Sequence, residues 1–311
     1  MRHYDSIILG GGPAGLTAGL YLARGRQNVL ILDSGMAGGQ VNLTHAVANY
    51  PGTGGEVFGY KLAADMKKQA TDFGCEILTN QKIRELDFSG AEKIVTTDKE
   101  TFSAPALIIA SGGKPRTLGL ESELQFQGKG VSYCATCDGD FFAGEDIIVV
   151  GGGNSALEEA VSLTQYAKSV TIVHQFDHFQ GHPHAIKAAE DNEKITILLE
   201  TVVESFVGGE TLTAVDVKNK KTGEKSRLDV TGAFVLIGYV PNSEGFQGIV
   251  ELNSRGEIVT DDGMATNVPG VFAAGDVREK KFRQITTAVS DGTIAALNAM
   301  EYVYGADPDK M

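Results

Sequence analysis

Two closely spaced cysteines followed by a carboxylate are the residues of this chain best suited to redox chemistry. Cys134 and Cys137 stand in a C-x-x-C arrangement, and Asp138 follows at once. This spacing lets the two sulfurs close a small disulfide ring, and a thiolate is the species that attacks a partner disulfide. A neighbouring carboxylate can give or take the proton that such exchange requires. The stretch therefore predicts a redox-active pair, with Cys134, Cys137 and Asp138 as its catalytic residues.

Metal binding is the main alternative for these cysteines, with two inert buried thiols as the other. A closed zinc site needs four ligands, and the only other cysteine, Cys75, is far away in sequence and is expected to be structural. Histidines, which also ligate metals, cluster in one later segment. Gly181 and Pro183 interrupt helical spacing there, so we predict an exposed polar loop and no metal site. These histidines are His174, His178, His182 and His184.

The composition is that of a soluble α/β protein. The 311 residues, with 42% hydrophobic content and 39 glycines, are enough for two domains with their own cores. A net charge of -13 argues against nucleic acid or an acidic membrane surface as a partner. The odd count of 3 cysteines, the absence of a signal peptide before the first apolar strand and the lack of a membrane-length apolar run predict a cytoplasmic location.

A glycine-rich turn near the N-terminus predicts a dinucleotide site. It follows an apolar strand over Tyr4–Leu9 and opens a helix, and a second strand, Val29–Leu32, precedes an acid. Glycines let the backbone approach a pyrophosphate at the helix N-terminus, and the acid reaches a ribose hydroxyl. The candidate binding residues are Gly10, Gly12, Pro13, Ala14, Gly15 and Asp33.

The same pattern recurs after the cysteines. A strand over Asp146–Val150 leads into a G-x-G-x-x-A turn, a helix over Ser155–Ala167 and a strand over Val170–Val173. Two such patterns imply two nucleotide cofactors, or one cofactor and a relic. The candidate residues of the second turn are Gly151, Gly153, Asn154, Ser155 and Ala156.

Over essentially its whole length the chain resembles the low-molecular-weight bacterial thioredoxin reductases. Besides the two glycine turns and Cys134–Gly139, the shared motifs are Gly38-Gly39-Gln40, Asn49-Tyr50-Pro51-Gly52, Thr266–Val277 and Arg283-Gln284. The resemblance implies an α/β fold with two Rossmann-like (ββα) nucleotide-binding domains, the second inserted in the first. The FAD domain is expected over residues 1–113 and 244–311, and the pyridine-nucleotide domain, which carries the cysteines, over residues 114–243.

The resemblance also implies roles for individual residues. Cys137 is expected to be the sulfur nearer the flavin, Cys134 the thiol that attacks the disulfide of a thioredoxin, and Asp138 the acid/base. In this family the inserted domain rotates to expose the dithiol, with hinges expected at Lys114–Pro115 and Gly238–Asn242. A homodimer through the FAD domains is expected. The further residues expected to hold FAD are Gln40, Asn49, Gly275, Asp276, Arg283 and Gln284.

The segment after the strand Val170–Val173 departs from the family pattern. Members that use NADPH carry three arginines there, which bind the 2′-phosphate, but this chain has Gln175, Phe176 and Gln180 in those positions. A doubly charged phosphate without cationic partners binds poorly, whereas NADH lacks that phosphate. The sequence therefore predicts an NADH-preferring reductase, with His174 and Gln175 also at the nucleotide.

Other electron donors and functions are compatible with the same residues. Phe176 and Phe179 are bulky enough to fill an adenosine site, which would leave ferredoxin or another donor to supply electrons. The acceptor is expected to be thioredoxin or another small redoxin on a separate chain. A ferredoxin–NADP reductase would lack the cysteine pair. The non-enzymatic alternative is a flavin redox sensor that does not turn over.

Overall fold

The computed structural model describes residues 1–44 and 46–305, and the chain divides into two compact units. Unit 1 consists of Met1–Lys114 and Val240–Met311, and unit 2 of Pro115–Tyr239. Unit 1 is thus built from both ends of the chain, and unit 2 is contiguous. The chain passes from one unit to the other through two short strands that pair with each other, β11 (Gly113–Pro115) and β20 (Tyr239–Pro241).

The N-terminal part of unit 1 alternates strands and helices. Its helices are α1 (Pro13–Arg24) and α2 (Gly59–Asp72). Its strands are β1 (Arg2–His3), β2 (Ser6–Leu9), β3 (Val29–Leu32), β4 (Ala46–Val47), β5 (Val57–Phe58), β6 (Glu76–Leu78), β7 (Ile83–Asp87), β8 (Lys93–Thr97), β9 (Thr101–Ala104) and β10 (Ala106–Ile109). The C-terminal part returns with β21 (Val271–Ala273) and the long helix α7 (Ile285–Tyr304).

A parallel sheet of order β21-β10-β2-β3-β6 forms the centre of unit 1. Its central strands are runs of aliphatic residues buried on both faces, as parallel sheets covered on both sides require. Residues such as Ile8 and Ile108 pack against α1, α2 and α7, whereas Ile7 and Leu107 pack against the sheet β1-β9-β8-β7. Each parallel strand therefore contributes to two separate cores.

Unit 2 repeats this layering. Its strands are β12 (Val131–Ser132), β13 (Asp146–Val150), β14 (Ser169–Val173), β15 (Ile195–Leu198), β16 (Thr201–Gly208), β17 (Leu212–Asn219), β18 (Lys225–Asp229) and β19 (Gly232–Val235). Its helices are α3 (Glu121–Gln125), α4 (Ala135–Asp138), α5 (Asn154–Leu163) and α6 (Pro183–Glu190). The parallel sheet has the order β12-β19-β13-β14-β15, with helices on one face and the antiparallel sheet β16-β17-β18 on the other.

Several predicted elements have different limits in the structure. The sequence over Glu76–Phe88 predicts one continuous strand, but the structure divides it into β6 and β7, because Asn80 between them has a φ of 54°. Helix α5 ends at Leu163, before the predicted Ala167. Helix α6 was missed because Pro183 was taken as a helix breaker, although proline is well tolerated at the first helical position that it occupies here.

Within residues 1–44 and 46–305, no helix is long and apolar enough to span a membrane.

Candidate functional site

The predicted redox cysteines are joined as a disulfide at the start of α4. Cys134 is the N-cap of this short helix and Cys137 lies in its first turn, with 5.3 Å between their Cα atoms. The backbone N–H of Cys137 donates a hydrogen bond to Sγ of Cys134 at 3.2 Å. An N–H directed at sulfur favours the thiolate of Cys134 after reduction, since it stabilises negative charge on that atom.

The carboxylate of Asp138 is held in place by Ser132, the last residue of β12. The Ser132 hydroxyl donates a hydrogen bond to Oδ2 of Asp138 at 2.5 Å. The same oxygen of Ser132 accepts the N–H of Cys134 at 3.1 Å. One serine therefore links the acid/base candidate to the backbone of the cysteine. Sequence analysis assigned Ser132 no role, because a separation of six residues from Asp138 matches no local capping pattern.

A buried carboxylate on α3 anchors the residue before Cys134. Glu123 is fully buried and accepts the hydroxyl of Tyr133 at 3.0 Å, together with the backbone N–H groups of Leu118 and Gly119 at 3.1 and 3.0 Å. Burial, with the nearby Glu123 carboxylate as a second cause, raises the pKa of the Tyr133 phenol. Tyr133 therefore stays neutral and ties the redox segment to the loop that enters unit 2. Nothing in the local sequence indicated this pairing.

The clustered histidines do not all lie in a loop. His178, His182 and His184 are exposed as predicted, but His182 is the N-cap of α6 and His184 lies within that helix, whereas His174 is buried. In the described parts of the chain, no group of three or more His, Cys, Asp or Glu side chains is arranged to hold a metal ion. Cys75 is also buried, and burial raises the pKa of its thiol to about 12, so it is unreactive at neutral pH.

The first glycine turn has the shape of a pyrophosphate cradle. Gly10 has a φ of +113°, and a Cβ added there would lie 2.3 Å from the Ala110 carbonyl oxygen. A Cβ on Gly15 would lie 1.9 Å from the carbonyl oxygen of Gly10, so the helix α1 packs directly on the turn. Gly12 instead faces open space, with its nearest neighbour at 3.9 Å. Pro13 and Ala14 then begin the helix. These features fit a bound dinucleotide.

The acid after β3 holds this turn together. Oδ2 of Asp33 accepts the N–H of Gly11 at 2.6 Å and Oδ1 accepts the N–H of Gly35 at 2.7 Å. Each carboxylate oxygen has a second lone pair that remains for a ribose hydroxyl. Asp33 therefore orients the loop in addition to the ligand role predicted for it.

The residues after β21 provide a second fit to FAD. Asp276 is half-buried, and its Oδ1 lies 4.0 Å from Nζ of Lys280. This oxygen has no hydrogen-bond partner among the described residues, which is the arrangement expected of an acceptor for a ligand hydroxyl. Burial raises the pKa of this carboxyl group. Beside it, Asp291 of α7 accepts the N–H of Gly275 at 3.1 Å and pairs with Lys280 at 2.7 Å. Asp291 and Lys280 were not recognised from the sequence.

Other residues predicted to hold FAD come together from distant parts of unit 1. The Asn49 side chain donates to Oε1 of Gln284 at 3.3 Å, across 235 residues of sequence. Gln284 is the N-cap of α7, and the preceding Arg283 forms an ion pair with the buried Glu257. Gln40 is exposed in the short 3₁₀ helix Gly39–Leu43.

The second glycine turn is built in a similar way. Gly151 has a φ of +143°, and a Cβ added there would lie 2.4 Å from the Leu236 carbonyl oxygen, whereas Gly153 faces open space. Oδ1 of Asn154 accepts the N–H of His182 at 2.6 Å. Ser155 is exposed and Ala156 is fully buried against the sheet. The open position at Gly153 fits a second nucleotide phosphate.

Aromatic rings pack together in the segment that follows β14. His174 is buried and its Nε2 lies 3.1 Å from the carbonyl oxygen of His178. The ring of Phe179 stacks on His174 at 5.6 Å and the ring of Phe176 meets it edge-on at 5.4 Å. The side-chain ammonium of Lys220 lies 5.8 Å from the centre of the Phe176 ring. Gln175 and Gln180 are exposed.

Comparisons with known proteins agree with this geometry. The family model for pyridine nucleotide-disulphide oxidoreductases matches residues 4–292. A thioredoxin reductase of Peptoclostridium litorale is 44% identical over 96% of this chain and 97% of its own, and the 34.2 kDa protein in the rubredoxin operon of Clostridium pasteurianum is 42% identical over 98% of each. The crystal structure of thioredoxin reductase from Streptococcus pyogenes MGAS5005 superposes with a TM-score of 0.94 at 40% identity, covering 98% of this chain and 99% of that one.

The matches extend over both units and include the disulfide and both glycine turns. They confirm the family resemblance and the α/β fold class that the sequence predicted. The chain therefore belongs to the pyridine nucleotide-disulphide oxidoreductase family and, within it, to the low-molecular-weight thioredoxin reductases, which are flavin-dependent disulfide oxidoreductases.

Proposed function

We propose that this chain moves two electrons from NADH, by way of FAD, to the Cys134–Cys137 disulfide and on to a thioredoxin, with NADH preferred over NADPH. FAD, when bound, supplies the two-electron relay between the nicotinamide and the disulfide. The observation that carries the proposal is the disulfide at the start of α4, with the Asp138 carboxylate held beside it by Ser132.

The cysteines divide the exchange reaction between them. After reduction, the Cys134 thiolate attacks one sulfur of the partner disulfide, and the displaced partner thiolate takes a proton from Asp138. The Cys137 thiol then gives its proton to the Asp138 carboxylate and attacks Sγ of Cys134. This attack breaks the mixed disulfide, and the second partner thiolate takes that proton from Asp138 as it leaves. The Cys134–Cys137 disulfide is restored, and the partner has gained two electrons and two protons. The N–H of Cys137 directed at Cys134 supports this assignment of the attacking sulfur.

Binding of FAD by unit 1 is supported by the first glycine turn and by Asp276. The open face of Gly12 admits a pyrophosphate, and Oδ1 of Asp276, which receives no hydrogen bond from the described residues, accepts a hydroxyl of the ligand. The contact between Asn49 and Gln284 supports a role for both near the same ligand.

The preference for NADH is supported by the side chains after β14. Gln175, Phe176 and Gln180 carry no charge, and the nearest cation recorded at the Phe176 ring is the single ammonium of Lys220. One exposed lysine offers a point charge, without the bidentate hydrogen bonding that arginines give a phosphate.

A second donor is favoured by the aromatic rings themselves. Phe176 and Phe179 pack on His174, whose ring lies against Gly152 of the second turn. If these rings exclude the adenosine, a ferredoxin or another electron carrier takes the place of NADH.

Anaerobic reduction of the holoprotein tests the proposal. We expect NADH to bleach the flavin absorbance at least about tenfold faster than NADPH, since tenfold corresponds to only 1.4 kcal/mol. Adding oxidised thioredoxin should restore the absorbance in the wild-type protein and not in the Cys134→Ser variant. Equal rates would contradict the NADH preference. Bleaching by dithionite alone would favour ferredoxin, and failure of thioredoxin to reoxidise the wild type would indicate a redox sensor.

The triple variant Gln175→Arg, Phe176→Arg, Gln180→Arg sharpens the test of nucleotide choice. Restoring three cations should raise kcat/KM for NADPH on the order of 100-fold, because each charged hydrogen bond contributes about 1.5–3 kcal/mol before solvent screening. The kcat/KM for NADH is the internal control and should change little. If NADPH remains inactive, the arginine argument is wrong.

Three finer statements stay proposals that rest on the sequence and the family resemblance. They are the homodimer through the FAD domains, the cytoplasmic location and the rotation of unit 2 during turnover. For the first, sedimentation equilibrium should give a mass near twice the 32.9 kDa of one chain. A single-chain mass would exclude the dimer.

A further inference from the structure

A carboxylate outside the cysteine motif contacts the first turn of the redox helix. Oε2 of Glu159, on α5, accepts the backbone N–H of Ala135 at 3.1 Å. Ala135 directly follows Cys134 and is only 5% exposed. The helix that carries Glu159 begins at Asn154, in the second glycine turn. One helix therefore joins the proposed nucleotide turn to the backbone of the disulfide.

The hydrogen bond places two acceptors at one helix end. The N–H of Ala135 is taken by the Glu159 carboxylate, and the N–H of Cys137 is directed at Sγ of Cys134. Glu159 is half-buried, and a negative carboxylate beside this turn disfavours negative charge on the neighbouring sulfur, since like charges repel and solvent screens the repulsion only in part. The N–H of Cys137 acts in the opposite direction and stabilises the thiolate.

The surroundings of Glu159 provide it with no opposite charge. Burial raises the pKa of the Glu159 carboxyl group, and the hydrogen bond from Ala135 opposes that rise. The charged group that acts on it is Glu158, its neighbour on α5, which lies 3.8 Å from Nε2 of His184 on α6. Among the interactions of the described residues, no cation pairs with Glu159 itself. Its charge therefore acts on the redox turn without a neutralising partner there.

We propose that Glu159 is a positioning residue that fixes the first turn of α4 and makes the reduced Cys134–Cys137 pair a stronger reductant by opposing its thiolate form. A reduced form that is less stable gives electrons away more readily, as the link between thiolate stability and reduction potential requires. In this role Glu159 acts through its hydrogen bond to the backbone of α4 and through its own charge, and not by contact with a sulfur atom or a cofactor. The proposal rests on the proposed function only in taking the pair to be redox-active.

Thiol measurements without nucleotide or thioredoxin test this proposal separately from the proposed function. Three variants of the holoprotein are compared. Glu159→Gln keeps a hydrogen-bond acceptor for Ala135 and removes the charge, and Glu159→Ala removes both. Glu158→Gln makes the same charge change one residue earlier, on an exposed side chain, and is the matched control.

Two readouts are expected to shift together in Glu159→Gln. Iodoacetamide should alkylate the reduced protein about three- to tenfold faster at pH 7, with the pH profile displaced to lower pH, because a lost carboxylate charge lowers a thiol pKa by up to about one unit. At equilibrium with reduced and oxidised dithiothreitol, the dithiol form should be favoured about threefold or more. Glu158→Gln should match the wild type in both.

The outcomes decide between a charge effect and a structural one. If Glu159→Gln matches the wild type while Glu159→Ala differs, the residue only anchors the backbone and the proposal is wrong. The proposal also fails if both variants match the wild type, or if Glu158→Gln shifts as much as Glu159→Gln. A change in NADH turnover without a change in the two thiol readouts would concern the proposed function and leave Glu159 without the role assigned here.

Discussion

The two glycine turns of this protein follow one pattern and differ where the helix meets the strand. Both begin with a glycine of positive φ, Gly10 and Gly151, and both leave the next glycine of the motif facing open space. In the first turn Gly15 has no room for a Cβ, whereas the second turn carries Ala156, whose side chain is fully buried. The same backbone cradle is therefore built at two helix–strand spacings.

The turns also differ in the residue that follows the second strand. In unit 1 this residue is Asp33, whose two carboxylate oxygens hold the backbone of the loop. In unit 2 it is His174, whose ring lies against Gly152 and is in contact with the rings of Phe176 and Phe179. One turn presents a fixed negative charge to its ligand and the other presents a neutral aromatic surface. Under the proposed function, the glycines of each turn would receive a phosphate, and the residue after the strand would determine which nucleotide is preferred.

The largest expected effect comes from exchanging the last residue of the glycine motif between the two turns, which is Gly15 in the first and Ala156 in the second. Gly15→Ala puts a methyl group 1.9 Å from a backbone oxygen, so we expect about 3 kcal/mol or more of lost stability and release of FAD. Ala156→Gly should cost only about 1–2 kcal/mol, from helix propensity and a lost buried methyl group. Urea denaturation and flavin absorbance measure both. Equal losses would mean that the two helix–strand spacings do not differ.

An intermediate effect is expected from filling the open glycine of each turn. Gly12 and Gly153 have φ values of -77° and -86°, which alanine adopts without strain, and neither has a close neighbour. Gly12→Ala should weaken FAD binding about tenfold and Gly153→Ala should weaken NADH binding about tenfold, because the methyl group occupies ligand space.

Titration of each nucleotide against each variant provides its own control. Folding, followed by circular dichroism, should be unchanged in both variants, and each variant should affect only the nucleotide of its own unit. A loss of NADH binding in Gly12→Ala with FAD still saturating would contradict the assignment of cofactors to units.

The smallest expected effect concerns the neutral histidine after β14. Burial lowers the pKa of the His174 imidazole below its usual value near 6.5. The unfolded chain then binds a proton more readily than the folded protein, so His174 lowers stability as the pH falls below about 6.5. The urea concentration at the unfolding midpoint should fall less between pH 7.5 and pH 5.5 in the His174→Gln variant than in the wild type. Parallel midpoints would show that His174 is not the titrating group.

Sequence reasoning was most successful where chemistry restricts residue type. The strands around both glycine turns and the C-x-x-C pair follow from local spacing, and their positions in the structure match it closely, whereas the Gly-Asp pair predicted to end a strand lies in a short helical turn after β21. These patterns are local, because a glycine turn or a disulfide ring is specified by a few adjacent residues.

Contacts between distant residues were beyond the reach of the same reasoning. Ser132 with Asp138, Tyr133 with Glu123 and Ala135 with Glu159 all depend on how separate elements pack. Serine, tyrosine and glutamate are common on surfaces, so their presence in the sequence indicates no partner. Helix α6 was missed for a different reason, since a proline at its first position was taken to exclude a helix.

The discontinuity of unit 1 has a consequence for the protein during its synthesis. Unit 2 is contiguous and can close its cores as soon as it has left the ribosome. Strand β10 must wait for β21 at its edge, and helix α1 must wait for α7, until the last quarter of the chain has been made. Ile109 at the end of β10 and Ala273 at the end of β21 are 164 residues apart, so at about 5–20 residues per second the delay for β10 lasts roughly 8–33 s. During that interval the apolar faces of α1 and β10 are without their final cover, so nascent unit 1, more than unit 2, is the part that chaperones must protect.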